Sequence, residues 1–97
     1  MKMELEKLEN HKGVAVKALL DSRATGLFID TTFVKEKRFK IKKLKNPLLV
    51  RNIDRMANVG EAITHQVECN MFFKEHVERA RIDMCNLGKT EVILGMP

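Results

Sequence analysis

The sequence predicts a mainly-β domain of short strands with one short helix. Three observations carry that prediction. Apolar segments rich in β-branched residues recur at intervals of roughly ten residues, the spacing of short strands rather than of long helices. Gly, Asn, Asp and Pro fall between those segments as turn punctuation. Ninety-seven residues can build one hydrophobic core and not two, so the strands belong together.

Residues 1–12 are charged, with Leu5 and Leu8 three apart. That spacing suggests a frayed helical turn or a flexible lead-in to a domain spanning 13–97. Gly13 introduces Val14-Ala15-Val16-Lys17-Ala18-Leu19-Leu20, a nearly continuous apolar run that reads as a buried strand. Asp21-Ser22-Arg23-Ala24-Thr25-Gly26 is turn-forming, and Leu27-Phe28-Ile29 follows as a short apolar segment. Asp30 is placed to cap a short helix over residues 31–37, since its carboxylate can accept from the first free N–H groups. An amphipathic strand is expected at Lys40–Leu44, a break at Asn46-Pro47, and a further strand at Leu48–Ile53. Asp54-Arg55-Met56-Ala57-Asn58 is polar enough for a hairpin tip, with Gly60 on the return. Ala62–Phe73 alternates, which sets Ile63, His65, Val67 and Cys69 on one face. Lys74-Glu75-His76 turns the chain into a strand over Val77–Cys85, Asn86–Thr90 is a loop, and Val92-Ile93-Leu94 is a last strand ending at Gly95.

The formal charge is +5, but residues 35–45 hold seven Lys or Arg against one acid, a local +6 that leaves the remainder at −1. The chain therefore has one basic stretch rather than a basic surface throughout. Clustered cations release counterions from nucleic acid. Phe39 is the only aromatic in that stretch, however, and the chain has no Trp or Tyr to stack on bases. The stretch reads as a solvated surface, and nucleic acid is not the expected partner. No apolar run reaches the roughly 18–20 residues that span a bilayer, and the first residues lack the apolar segment of a signal peptide. A soluble, intracellular protein with no membrane partner is expected. Cys69 and Cys85 stand outside any metal-ligand spacing and are expected to be free, buried thiols. His11, His65 and His76 form no ligand pattern either, so no metal and no cofactor is expected.

Asp21 is the position where chemistry concentrates. An acid directly after an apolar run is carried to the edge of the core, where its charge is poorly solvated. The small residues Ser22, Ala24 and Gly26 leave room for backbone donors to reach it. An Asp that only ends a strand and opens a turn has the same local pattern. Ser22 lies in no Gly-x-Ser-x-Gly elbow, so it is not read as a nucleophile.

The segment Ala18-Leu19-Leu20-Asp21-Ser22-Arg23-Ala24-Thr25-Gly26-Leu27-Phe28-Ile29-Asp30 resembles the Leu-Leu-Asp-Ser-Gly-Ala-Thr motif of retropepsins, especially those of gypsy-type LTR retrotransposons. Val92-Ile93-Leu94-Gly95 resembles the apolar-apolar-Gly signature that crosses behind the active-site loop in that family, and Leu87-Gly88-Lys89-Thr90-Glu91 resembles the stretch before it. Val50 through Gly60 falls where such proteases carry a flap hairpin. The resemblance spans residues from about 14 to 97.

It implies a retropepsin-like half-barrel with a flap hairpin and one short helix, active as a homodimer. The implied activity is aspartic endopeptidase, cutting a Gag-Pol-like polyprotein in the cytoplasm or within element-encoded particles. On that resemblance Asp21 is the catalytic aspartate, and Ser22 braces the pair of aspartates across the two-fold axis. Arg23, Ala24, Thr25 and Gly26 complete the active-site loop. Ile53, Asp54, Arg55, Met56, Ala57 and Asn58 form the flap, and Ile93, Leu94 and Gly95 back the active site. Two such carboxylates about 3 Å apart share one proton and activate a water between them.

Three positions depart from the family pattern. Arg23 stands where the motif has Gly beside the carboxylate, and brings bulk and a cation that favours two ionised carboxylates over a shared proton. Asp54-Arg55-Met56 replaces Asp-Gly-Thr at the flap tip, where Gly suits a tight turn better than Arg. The chain ends at Met96-Pro97, where the family continues into a helix under the active site, so that helix is expected to be truncated. Together they imply weakened catalysis on an intact scaffold, with an inactive dimerisation or binding domain as the alternative.

Overall fold

The apolar run that begins after Gly13 becomes a strand with one face turned inward: its alternate side chains, Val16 and Ala18, are buried while Lys17 faces solvent. A computed structural model describes residues 1–21, 26–49 and 62–95. Its elements in chain order are β1 (Lys2–Lys7), β2 (Gly13–Asp21), β3 (Leu27–Asp30), α1 (Thr31–Glu36), β4 (Ile41–Leu49), β5 (Ala62–Phe73), β6 (His76–Cys85) and β7 (Val92–Gly95). The mainly-β expectation with one short helix is what the described residues form. Among them, no helix is long and apolar enough to cross a membrane.

The strands make one seven-stranded sheet in the order β1-β2-β7-β3-β6-β5-β4. β1 also pairs with β5, through Glu4↔Phe72 to Lys7↔Cys69, so the sheet closes into a small barrel and β4 lies outside the ring. One edge of β5 serves two partners in succession. Its first half pairs with β4 (Ile41↔Val67, Leu49↔Ala62) and its second half with β1. Only a strand as long as β5, with 12 residues, reaches both.

Residues 2–7 correct the expected helical turn or flexible lead-in. They form β1, antiparallel to β2, with Met3 and Leu5 buried and the charged residues between them turned outward or partly covered. A second correction concerns residues 40–49. One strand, β4, runs through Asn46-Pro47 where a break was expected. The register shifts between Lys43 and Leu48, and such an irregularity on an outer strand accommodates a proline that cannot donate to the ladder.

Two clusters fill the interior. The larger gathers Leu5, Val16, Ile29, Val34, Val67 and Ile82 among others. The smaller joins Phe28, Ile63, Cys85, Leu87 and Ile93, with Leu44 against it. Cys69 and Cys85 are both buried, and burial pushes the Cys69 thiol up to about 12, so it stays protonated and inert.

Asp83, on β6, accepts a hydrogen bond from Gln66 Nε2 at 2.7 Å. Burial nonetheless raises its carboxyl above the ordinary value of 3.8, against the opposing pull of that hydrogen bond. Its charge therefore weakens the fold at neutral pH, and the penalty fades as pH falls through the raised value and the folded chain takes up the proton. Asp83→Asn keeps an acceptor for Gln66 without the charge. It is expected to melt at a higher temperature than the parent at about pH 7, with the advantage vanishing as pH approaches 3.8. Equal melting temperatures across that range would contradict the assignment.

Candidate active site

Asp21 is the last residue of β2. The strand carries it to the rim of the barrel, where the residue is 9% exposed. Its position is fixed by β7, which lies parallel to β2 with Ala18↔Val92, Leu19↔Ile93, Leu20↔Leu94 and Asp21↔Gly95 in register. β7 is also antiparallel to β3, through Leu27↔Leu94, Phe28↔Ile93 and Ile29↔Val92. The same short strand thus lies between β2, which ends at Asp21, and β3, which begins at Leu27.

Gly26 and Gly95 lock that arrangement. The Gly95 N–H donates to the Gly26 carbonyl at 2.7 Å, and Gly26 has a φ of 116°, which a side chain would strain. Of the residues expected here, Asp21, Gly26, Ile93, Leu94 and Gly95 come together at one end of β2, β3 and β7. Ile93 is wholly buried in the smaller cluster, and Leu94 is buried in the main core. Ser22, Arg23, Ala24 and Thr25 lie outside the described residues, as do the expected flap residues Ile53, Asp54, Arg55, Met56, Ala57 and Asn58. The paired ends of β4 and β5, Leu48↔Ile63 and Leu49↔Ala62, are described. Ile63 packs with Phe28 and Ile93, so the roots of the segment between those strands rest on the strands that frame Asp21.

Two acids not singled out as site residues hold the frame. Asp30 caps α1 as expected, accepting from the Phe33 N–H at 3.1 Å, and its other oxygen accepts from the Leu87 N–H at 2.9 Å. Both oxygens are occupied within the fold, so Asp30 is a structural carboxylate that ties β3 and α1 to the loop before β7. Glu91 does the same for β2: its Oε1 accepts from the Lys17 N–H at 2.7 Å, and its carbonyl accepts from the Asp30 N–H at 2.9 Å. An N-cap pattern reveals Asp30 in the sequence; nothing local reveals Glu91, because its partner is 74 positions away. Asp30→Ala is expected to cost about 2 kcal/mol, the loss of a cap plus a buried N–H left unmade. Urea unfolding would show it as a lower midpoint at unchanged slope, and an unchanged midpoint would remove Asp30 from the frame.

Beside the site runs an open, largely apolar groove of ≈ 680 Å³, lined by Leu20, Leu27, Met71, Phe73, Leu94 and Gly95 among others. Leu20, the neighbour of Asp21, is 58% exposed, an unusual place for a large apolar side chain. Among the described residues, no group of three or more His, Cys, Asp and Glu is placed to hold a metal ion.

What the arrangement offers chemically is one carboxylate at a strand end, held at the rim of an apolar frame by backbone pairing to a glycine. A family model described as the PEG10/RTL1 protease domain matches residues 17–97, which takes in the second half of β2 with Asp21 and everything from β3 to β7. A comparison with curated proteins finds no match.

Proposed function

The chain belongs to the PEG10/RTL1 protease domain family, retropepsin-like protease domains, and from that premise we propose that it is an aspartic endopeptidase working as a homodimer. One observation carries the reading. Asp21 stands at the end of β2 with Gly95 paired beside it and Gly26 bonded to Gly95, which sets its carboxylate at the rim of the fold. A single carboxylate is a poor peptidase. Two copies related by a two-fold axis would supply a pair.

The pair acts through one shared proton, because two carboxylates in contact do not both ionise easily. The ionised member takes a proton from a water, which attacks the scissile carbonyl. The protonated member donates a hydrogen bond to that carbonyl oxygen as negative charge develops on it. Collapse of the tetrahedral intermediate then breaks the C–N bond and returns a proton to the leaving amine. Ser22 braces the pair from the neighbouring chain, and residues 53–58 close over the peptide and exclude water. The exposed Leu20 beside Asp21 supplies apolar surface for a second copy to cover. The substrate is an extended segment of a polyprotein, and the place of action is intracellular, where the thiols of Cys69 and Cys85 are kept reduced.

Arg23 favours a second reading, a dimerisation or binding domain without turnover, because it sets a cation two residues from Asp21. Cleavage of an unstructured peptide between about pH 4 and 7, by the parent beside Asp21→Asn, separates the two. Cutting by the parent that is lost in the variant supports the peptidase, and equal traces from both point to a contaminant and to the binding domain.

A further inference from the structure

The peptidase reading leaves the basic stretch unused. All seven of its cations, Lys35, Lys37, Arg38, Lys40, Lys42, Lys43 and Lys45, are exposed. They run from Lys35 in the last turn of α1, through the turn that follows, to Lys42, Lys43 and Lys45 on β4, the strand outside the barrel ring. The register sets Lys42 opposite Gln66 and Lys43 opposite His65 on β5. Successive side chains on a strand point to opposite faces, so lysines flank this edge on both sides. Lys7 extends the patch, its Nζ lying 5.5 Å from the Phe39 ring centroid, while the Lys37 Nζ lies 6.0 Å from that of Phe33. The acids nearby are few: Glu36 within the stretch, and Glu9 and Glu68, which line a groove of ≈ 420 Å³ with Lys40 and Lys42. Glu68 is already paired with Arg79 at 2.8 Å.

Lysines on an outer strand commonly guard it against pairing with other chains. Pro47 and the register shift already provide that guard here, and one or two charges would complete it. Seven cations against one acid exceed the need and repel one another, a cost that a polyanion would relieve. An extended peptide added to the edge is the poorer fit, since Pro47 and the irregular register interrupt the ladder it would need. The absence of an exposed aromatic, which tells against base stacking, does not tell against phosphate contact. We infer that β4 and the turn before it grip the phosphate backbone of a nucleic acid without reading its sequence. This surface lies on strands that do not bear Asp21, and the inference stands independently of peptidase activity.

The test is fluorescence anisotropy of the whole chain with a labelled single-stranded oligonucleotide and a duplex of equal phosphate count. If about five cations meet phosphates, affinity for the single strand should fall about 100-fold between 50 and 200 mM salt. Replacing Lys40, Lys42, Lys43 and Lys45 together by Ala should lower the salt slope by about 3, whereas the matching Lys→Arg set should keep it. These side chains are exposed, so melting temperature should hold in both sets. Base composition should not matter, and poly-glutamate of equal charge should bind more weakly. Affinity indifferent to salt, an unchanged slope in a folded alanine set, a marked base preference, or equal capture of poly-glutamate would each overturn the inference. Tight binding of only the duplex or only the single strand would identify which backbone geometry the edge fits and would support it.

Discussion

Asp21→Asn is expected to reduce peptide cleavage by about 10²–10⁴-fold, the range a positioned acid–base group contributes. Asn preserves shape but neither accepts a proton from water nor donates one to a developing oxyanion as a carboxylic acid does. The loss should be confined to chemistry. Asp21 is held by backbone pairing with Gly95, and β7 is anchored by β2 and β3 together, so the variant should retain the parent's fold by circular dichroism. A variant that still cuts at the parent's rate would place the chemistry elsewhere. A variant that unfolds would make Asp21 a structural acid like Asp30, whose two oxygens are spent on Phe33 and Leu87.

Arg23→Gly is expected to raise cleavage by about tenfold or more, the second large effect. A fixed cation near a carboxylate pair stabilises the state in which both are ionised, and a pair without its proton has no acid to polarise the scissile carbonyl. Glycine removes the cation and also the bulk that crowds a peptide backbone. The gain should be greater at about pH 7 than at pH 4, because acid restores the shared proton even in the presence of arginine. Measured kcat and KM divide the two contributions: the charge acts mainly on kcat, and the bulk mainly on KM. If neither constant changes, Arg23 lies clear of the carboxylates and attenuates nothing.

The scaffold was legible where apolar runs are continuous or alternate cleanly. Val14–Leu20 and Val92–Leu94 could hardly be anything but strands, although β2 buries one face only where a wholly buried strand was expected, and β5 follows the alternation of Ala62–Phe73 over much of its length. β1 was missed because its apolar pair, Met3 and Leu5, is embedded among charges. Its burial depends on β2 and β5, the latter some 65 residues away in sequence. β4 was divided at Pro47 because proline ordinarily breaks a strand, and a register shift on an outer strand is a tertiary solution that local pattern does not disclose. For the site, Asp21, Ile93, Leu94 and Gly95 were legible as motif residues. Their mutual arrangement was not, since it rests on β7 passing between β2 and β3. Glu91 had no sequence signature at all: only the fold brings its carboxylate to the Lys17 N–H.

The most direct test of a site shared by two chains is subunit mixing. A fixed amount of Arg23→Gly chain, the most active form expected, is titrated with catalytically silent Asp21→Asn chain while peptide cleavage is followed. Mixed pairs carry a single aspartate, so a ninefold excess of silent chain should leave roughly a tenth of the activity. Activity that stays constant under the same excess would mean that each chain works alone, and the two-chain aspartate pair would have to be abandoned.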